Sequence, residues 1–227
     1  VIAPPFESPK ADSEDIKKAA EMIAASNKPY IYCGGGVISS GASREVIDFA
    51  ELIDAPIGCS MMGVSAVPTS NKRFLGMQGM HGHYASSMAQ AEADLVIAIG
   101  ARFSDRATGN KDVYVRNCNI LHIDVDAAEI DKNITTQLGI NGDVKETLRK
   151  LISAVSPANH PAWNAEIDKF KEKEASFEPK SDIMTPYDVI DTVNAKMPED
   201  AVIATDVGQH QMWVAQRYRF EKPRTFV

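Results

Sequence analysis

Three short glycine-containing stretches carry the residues best suited to contact a cofactor. Residues 34–36 are consecutive glycines after one apolar segment, and residues 100–102 read Gly-Ala-Arg after another. Glycine lets backbone N–H groups approach a ligand without obstruction by Cβ, and arginine binds phosphate through paired hydrogen bonds. Residues 79–82 combine two glycines with a methionine and a histidine. These residue types indicate a ligand that carries phosphate.

Each candidate residue also has an alternative interpretation. The glycines at 34–36 do not form a Gly-x-Gly-x-x-Gly fingerprint, and a tight strand-to-helix turn explains them equally well. His81 is either a base or a group that packs or hydrogen-bonds against a planar ligand. Asp124 and Asp126 are metal ligands by residue type, although an acid at a strand end more often binds a ribose or caps a helix. Asp143 precedes a helix, where it acts as an N-cap or contacts the cofactor.

Other kinds of site find little support in the sequence. Cys33, Cys59 and Cys118 are widely spaced and form no Cys-x-x-Cys or Cys/His cluster, which argues against a zinc site or a disulfide framework. Ser60 lacks the Gly-x-Ser-x-Gly elbow of a hydrolase. The cysteine usage is typical of a reducing compartment, and we expect a cytoplasmic protein.

The composition excludes several partners. The chain has 227 residues, 31 acidic against 24 basic side chains and a formal charge of −7, whereas nucleic-acid binding is typically marked by a basic face. No apolar run approaches the roughly 20 residues of a membrane span. The first residues do not form a signal peptide. Both ends look cut, and we expect a fragment of a longer polypeptide.

The pattern of apolar residues predicts the fold class. Strands that are apolar on both faces alternate with amphipathic helices, as in a parallel sheet covered on both sides. We therefore predict an α/β fold, a doubly wound parallel sheet with helices on both faces, and expect the two glycine turns at one edge of it. The predicted strands are 29–33, 55–59, 94–99 and 120–125, and the predicted helices are 12–26, a helix capped by Ser40 or Ser43 that ends at 52, 84–92 and 144–155.

The composition of the chain changes after residue 155, where charged residues and prolines become frequent. We predict a central domain over 1–155 and a charged linker with a solvated helix over 156–184. Residues 185–227 read as a helix from 185 to 197, a strand at 201–205 and a helix at 211–218. Such a short segment cannot bury a core of its own, so we predict the incomplete start of a further domain.

Several strings, taken together, resemble the catalytic subunits of the acetolactate synthase family, which are thiamine-diphosphate enzymes. The strings follow one another between residues 29 and 224. Three of them, GMHGHYA, GARFSDRATGN and VGQHQMW, are very specific in combination. The others are PYIYCGGGV, SGAS, ILHIDVDAAEIDKN and NGDVK.

The resemblance implies that a Rossmann-like central domain binds FAD and that the last segment begins a thiamine-diphosphate domain. It implies no metal ligand and no catalytic residue in this part of the chain. The implied FAD contacts are Gly34, Gly35, Gly36, Ser60, Met61, Met62, Gln78, Gly79, Met80, His81, Gly100, Ala101, Arg102, Arg106, Asp124, Val125, Glu129, Gly142, Asp143, Val144, Gln211 and Met212. The implied thiamine-diphosphate contacts are Val207, Gly208, Gln209 and His210.

The resemblance also implies an activity and partners. Members of the family condense pyruvate with pyruvate or 2-oxobutyrate, with loss of CO2, in the first common step of branched-chain amino acid biosynthesis. They use thiamine diphosphate, Mg2+ and an FAD that undergoes no net redox change. The resemblance implies a homodimer or larger homo-oligomer, a regulatory small subunit, and a bacterial cytoplasmic or plant plastid location. Because the activating glutamate and the metal motif lie outside this chain, we expect it to be inactive alone.

Two positions depart from the family pattern. Ser104 stands where the family has an acid, which weakens one hydrogen-bond acceptor near the flavin, and Ala127 replaces a proline. Two alternatives stay open. One is the central domain of another thiamine-diphosphate decarboxylase or carboligase, and the other is a non-catalytic nucleotide-binding module.

Overall fold

The sheet is entirely parallel. Within residues 8–177 and 182–227, which the computed structural model describes, six strands pair in the order β3-β2-β1-β4-β5-β6. Successive strands are therefore added towards one side of the sheet up to β3 and towards the other side from β4 onward. The change occurs between β1 and β4, which are direct neighbours. The strands are β1 Pro29–Cys33, β2 Ile57–Cys59, β3 Phe74–Met77, β4 Leu95–Ile99, β5 Asn119–Asp124 and β6 Leu138–Asn141.

Helices cover both faces of this sheet. Helices α1, α3 and α7 pack on one face with the larger apolar core, whereas α4 and α8 pack on the other. The predicted α/β class and doubly wound arrangement are confirmed. The helices are α1 Ser13–Ala25, α2 Gly35–Ser39, α3 Ser43–Leu52, α4 Tyr84–Glu92, α5 Asp105–Thr108, α6 Lys111–Tyr114, α7 Val144–Ala154, α8 Pro161–Ala175, α9 Pro186–Lys196 and α10 Gln209–Arg217, and a 3-10 turn spans Met61–Gly63.

Two strands escaped the prediction because they are short and contain glycine. They are the edge strands β3 and β6, with four residues each. The predicted strand at 201–205 forms only one bridge, between Ile203 and Phe226, because only a short neighbouring segment pairs with it in the described chain. The predicted serine cap of α3 is also wrong, since Ala42 occupies the N-cap position without a side-chain hydrogen bond.

Helix α8 lies in the charged region and is anchored on the sheet. The indole Nε1 of Trp163 donates to the Pro29 carbonyl at 3.0 Å, and the side chain is 2% exposed. The Asp54 carboxylate accepts the His160 N–H at 2.6 Å, at the position that precedes the helix. The helix predicted there is thus packed on its inner face, while the limits of the domains and linker remain predictions.

The segment that contains α9 and α10 packs against the turn before β3. The Phe220 carbonyl accepts the Thr69 N–H at 2.9 Å, and the Phe220 N–H donates to the Thr69 hydroxyl at 3.0 Å. The Phe220 ring is 1% exposed and lies against Tyr218 and Phe226. No helix in the described parts of the chain combines the length and hydrophobicity that a membrane crossing requires.

Candidate cofactor site

The predicted cofactor residues up to position 144 cluster at the carboxyl edge of the sheet. The carboxyl ends of parallel strands share one edge, which is where open α/β folds bind ligands. The prediction that the two glycine turns share this edge is confirmed. Residues 34–36 follow β1, 60–62 follow β2, 78–81 follow β3, 100–102 follow β4, 124–125 end β5 and extend past it, and 142–144 follow β6.

The glycines after β1 allow the β1 and β4 turns to touch. The Gly34 N–H donates to the Ile99 carbonyl at 2.9 Å, and the Gly36 N–H donates to the Gly100 carbonyl at 3.0 Å. A Cβ on Gly36 would lie 2.6 Å from the Gly100 Cα, and one on Gly34 would overlap the Gly100 carbonyl oxygen. The tight-turn interpretation therefore accounts for two of these glycines without any ligand.

The turn after β2 brings a methionine beside the glycines. The Ser60 N–H donates to the Cys33 carbonyl at 2.8 Å, which fixes the turn to the end of β1. Met61 is partly buried against the core, whereas Met62 is 61% exposed. A Cβ on Gly35 would meet the Met62 Cβ at 3.2 Å. The exposed thioether thus offers an apolar surface at the sheet edge.

The Gln78 side chain is engaged in a buried polar network. Tyr30 donates its hydroxyl hydrogen to the Gln78 Oε1 at 2.8 Å, and the Gln78 Nε2 donates to the Tyr114 hydroxyl at 3.0 Å. Burial raises the pKa of both tyrosines well above the ordinary value, so their hydroxyls stay protonated. The Gln78 amide therefore forms its hydrogen bonds inside the protein. At this turn the exposed side chains are those of Met80 and His81.

The turn after β3 is joined to the loop after β4. Gly79 has φ of +101°, and a Cβ there would overlap the Arg106 carbonyl oxygen. The Met80 N–H donates to that same carbonyl at 2.9 Å. The structure thus brings Met80, with 68% of its surface exposed, next to the Arg106 backbone, and contact of either residue with a cofactor remains a prediction.

Arg102 and Glu129 are neighbours although the chain separates them by a strand. The Arg102 Nε lies 3.6 Å from the Glu129 Oε1, and the Arg102 side chain is 75% exposed. The Glu129 carboxylate is buried and also accepts from the Lys132 Nζ at 2.7 Å. The guanidinium therefore projects from the edge with a carboxylate close beside it.

Asp124 holds the chain together at the end of β5. Its Oδ1 accepts the Asp126 N–H at 2.9 Å, and its carbonyl accepts the Gly142 N–H at 3.0 Å. The Asn141 amide bonds the carbonyls of both Asp124 and Val125. Within the described residues, no group of three or more His, Cys, Asp or Glu side chains is arranged to hold a metal ion.

Asp143 is the N-cap of α7. Its Oδ1 accepts the Glu146 N–H at 3.0 Å, so this alternative is confirmed and contact with the cofactor remains a prediction. Gly142 is tightly enclosed, since a Cβ there would lie 2.8 Å from the Thr147 hydroxyl oxygen. Val144 is buried in the core.

Helix α10 reaches the same region from the end of the chain. The Gln216 Nε2 donates to the His81 carbonyl at 2.7 Å, and the His83 Nε2 lies 3.1 Å from the Gln216 carbonyl. The predicted flavin contacts Gln211 and Met212 are half-buried on this helix. The predicted thiamine-diphosphate residues lie at the start of α10 or just before it, mostly exposed: Val207, Gly208, Gln209 and His210.

Sequence reasoning missed several residues that shape this edge. Gln216 and His83 carry no local signal, because each finds its partner far along the chain. His122 is different, since it is the one polar residue between the two ends of strand β5 and is 1% exposed. A buried polar side chain is informative by itself, so that signal was present.

One cavity lies away from this edge. It encloses about 610 Å³ at the amino-terminal edge of the sheet, between α8 and the start of β3. Its lining includes Asp54, Arg73 and Lys171 and none of the predicted cofactor residues. The Arg73 guanidinium is already paired with the Asp54 carboxylate at 2.7 Å.

Comparison with known proteins matches this chain to one family. Residues 16–151 match the family model described as thiamine pyrophosphate enzyme, central domain. The matched range begins within α1 and ends within α7, and so includes the whole sheet. It therefore contains every turn of the carboxyl edge.

Individual relatives extend beyond this range. The chain is 36% identical over 219 residues to the acetolactate synthase large subunit of Haemophilus influenzae, covering 93% of this chain and 38% of that protein. It is 36% identical over 220 residues to the acetolactate synthase isozyme 3 large subunit of Escherichia coli, with the same coverage. A probable acetolactate synthase large subunit of Methanocaldococcus jannaschii is 38% identical over 223 residues, covering 93% of this chain. The chain spans 38% of the length of each of these relatives.

Proposed function

The chain belongs to the thiamine pyrophosphate enzyme family through its central domain, and on that premise we propose that it is part of an acetolactate synthase. The observation that carries the proposal is the similarity, along 93% of the chain, to relatives that are named acetolactate synthase large subunits. The clustering of the predicted cofactor residues at one sheet edge supports it from a different direction.

The proposed enzyme condenses pyruvate with a second 2-oxo acid and releases CO2. In this proposal, the described residues supply a scaffold for FAD and the beginning of a thiamine-diphosphate site, and the catalytic groups lie elsewhere in the enzyme. FAD, when bound, undergoes no net redox change and serves a structural role. The chain by itself is therefore inactive.

The residues at the carboxyl edge fit an FAD. The Arg102 and Arg106 side chains are both exposed on the segment after β4, so two cations are available for a diphosphate on an otherwise acidic protein. Met62 and Met80 offer exposed apolar surface for a ring system. In this proposal the Glu129 carboxylate, which lies beside Arg102, supplies hydrogen-bond acceptors for a nucleoside.

The start of α10 fits the diphosphate side of thiamine diphosphate. Residues 207–210 are mostly exposed around the N-terminus of a nine-residue helix, whose N–H groups and dipole favour an anion. Gln216 ties this helix to the turn that contains His81, so the two proposed cofactor regions adjoin. We assign the Mg2+ ligands to segments outside this chain.

The partners follow from the same proposal. The relatives are named large subunits, and we propose a homo-oligomer that associates with a small regulatory subunit. We also propose a cytoplasmic location, a central domain over 1–155, a linker over 156–184 and the start of the thiamine-diphosphate domain over 185–227.

A titration of the chain with FAD tests the cofactor assignment. We expect saturable quenching of flavin fluorescence, and the Arg102→Ala variant should weaken binding about tenfold, the typical effect of losing a hydrogen bond to a charged group. Arg116→Ala is the matched control, because Arg116 is also exposed but precedes β5 and so lies towards the opposite edge. Equal losses in both variants would contradict an FAD site at Arg102.

A chimaera tests the proposed activity. The matching segment of the Escherichia coli large subunit is replaced by this chain, and acetolactate formation and flavin content are measured. Activity with bound FAD supports the proposal. Flavin binding with a different 2-oxo acid product favours another thiamine-diphosphate carboligase, and nucleotide binding without flavin favours a nucleotide-binding module. A folded chimaera that lacks both flavin and activity would refute the assignment.

A further inference from the structure

His122 lies between the two turns that carry Arg102 and Glu129. It is on β5, with the ring 1% exposed, and its Nε2 is 3.0 Å from the Ala101 carbonyl oxygen. The same nitrogen lies 3.8 Å from the Asp124 Oδ2. One buried imidazole therefore faces the β4 turn and the end of β5 together.

The surroundings of His122 determine its tautomer. Both groups near Nε2 are acceptors, so Nε2 carries the hydrogen and donates it to the Ala101 carbonyl. The Nδ1 atom is buried and has no hydrogen-bond partner in the described part of the protein. Burial lowers the pKa of His122, although the nearby Asp124, Asp131 and Glu129 carboxylates oppose this effect. The ring is neutral at pH 7.

Packing holds the ring in this orientation. The Phe103 and His122 rings pack edge to face, with ring centres 5.1 Å apart. Phe103 in turn packs against Tyr32, with ring centres 6.1 Å apart. The register partners of His122 on the two adjacent strands are Ala98 and Gly139, which are small. The imidazole thus lies between small residues of the adjacent strands and packs against the aromatic ring of Phe103.

We propose that His122 is a positioning residue that couples the β4 turn to the end of β5. Ala101 is directly followed by Arg102, so the hydrogen bond from His122 fixes the backbone from which that guanidinium projects. Asp124 begins the turn that leads to Glu129. The coupling stands on the geometry alone, whereas its consequence for FAD rests on the proposed function.

Hydrogen exchange on the chain tests the coupling with two variants. His122→Gln keeps an amide donor near the position of Nε2, and His122→Phe keeps ring volume without a donor. We expect exchange in residues 100–106 and 124–129 to rise about tenfold in the Phe variant, the usual effect of losing a buried hydrogen bond. The Gln variant should stay close to wild type, and exchange in β1 should change in neither variant.

Two results would overturn the coupling. One is exchange in the Phe variant that matches wild type, and the other is a Gln variant as labile as the Phe variant. Should the Phe variant fail to fold, the nitrogen chemical shifts of His122 in the wild-type chain decide the question. They should show a hydrogen on Nε2 at pH 7, and a hydrogen on Nδ1 instead would refute the proposal.

An FAD titration of the same proteins separates the two proposals. If the coupling positions Arg102 for the cofactor, the Phe variant binds FAD about tenfold more weakly and the Gln variant retains affinity. Equal affinity of all three proteins would refute the role of His122 toward FAD, whatever the exchange data show. A wild-type protein that does not bind FAD in the chain or in the chimaera would refute the FAD assignment, while the exchange data still judge the coupling.

Discussion

At the residue scale, the carboxyl edge depends on a few positions where side chains are excluded or confined. Gly100 has φ of +54° and supports the close approach of the β1 and β4 turns. The Gln78 amide and the His122 Nε2 hydrogen-bond to partners within the edge and do not face solvent. Single substitutions at these positions should therefore have effects that differ from those at similar but open positions.

Gly100→Ala should destabilise the protein more than Gly41→Ala. The two glycines have similar positive φ, +54° and +64°, which a side chain disfavours by about 1–2 kcal/mol at both positions. A Cβ on Gly100 also lies 2.6 Å from the Gly36 Cα, whereas one on Gly41 meets nothing within 4 Å. Overpacking should add about 1–3 kcal/mol to the free energy lost by Gly100→Ala, as measured by urea unfolding. Equal losses would contradict the contact between the turns.

His122 should make the protein less stable as the pH falls below about 6.5. Burial lowers the pKa of His122 in the folded protein from the ordinary value of 6.5, although Asp124, Asp131 and Glu129 oppose it. The unfolded chain therefore takes up a proton first, and acidification favours unfolding. Urea unfolding at pH 7.5 and 5.5 should show a smaller difference for His122→Gln than for wild type. An unchanged difference would mean that the ring is protonated equally in both states.

At the element scale, α8 shows how one carboxylate docks a charged helix. Asp54 has φ of +51° and follows α3, with its side chain turned toward the amino-terminal edge of the sheet. It accepts from the His160 N–H, the Asn164 Nδ2 and the Arg73 Nη1. The helix therefore depends on a buried acid as well as on Trp163 and the apolar residues of its inner face.

Asp54→Asn should lower the free energy of unfolding by about 1–3 kcal/mol at pH 7, the usual effect of weakening charged hydrogen bonds. Asparagine tolerates the same left-handed backbone, so the variant isolates the charge. Although burial favours the protonated form, the hydrogen bonds from His160, Arg73 and Asn164 lower the pKa of Asp54 from its ordinary 3.8. The stabilisation is thus present above that value and is lost as the pH falls through the lowered pKa.

Urea unfolding at pH 7 and at about pH 3 checks this dependence on Asp54. The difference between wild type and Asp54→Asn should shrink at the lower pH. Asp48→Asn is the control, because Asp48 pairs with Arg44 on the surface of α3 and such pairs contribute about 0.5 kcal/mol or less. A variant at Asp54 that behaves like this control would refute the anchoring role.

At the scale of the whole molecule, the last 46 described residues pack on the parallel sheet and its connections. Phe220 bonds Thr69 through its backbone, and Gln216 bonds the His81 carbonyl. These contacts place α10 beside the turn after β3, so the two proposed cofactor regions form one surface. The order of residues 182–227 should therefore depend on this junction.

Phe220→Ala should loosen residues 182–227 from the sheet. The ring is 1% exposed and lies between Tyr218 and Phe226, and removing a buried phenylalanine typically costs about 3–5 kcal/mol. Hydrogen exchange should rise across α9 and α10 and stay unchanged in β1, β4 and β5. Val202→Ala, at a residue 61% exposed, is the control and should have little effect. An unchanged exchange pattern in the Phe220 variant would show that the segment does not depend on this contact.

The sequence by itself determined the fold class, most of the central strands and helices, and the turns of the carboxyl edge. Those features have local signatures. Strand β1 and helix α4 were predicted with their observed bounds, because apolar runs, helical periodicity and flanking turn residues all lie within the segment. The Asp143 cap also follows from residues within a single helical turn.

Only the tertiary structure decided which side chains meet. Gln78 was an expected cofactor contact, yet its amide bonds tyrosines on β1 and α6 that are 48 and 36 residues away. Arg102 pairs with Glu129, and the His122 side chain on β5 hydrogen-bonds the Ala101 carbonyl after β4. The short edge strands β3 and β6 likewise form because neighbouring strands offer hydrogen bonds, not because their own residues favour extended chain. Such contacts depend on how the folded sheet brings together residues that are far apart in the chain. The residues within a single segment therefore do not predict them.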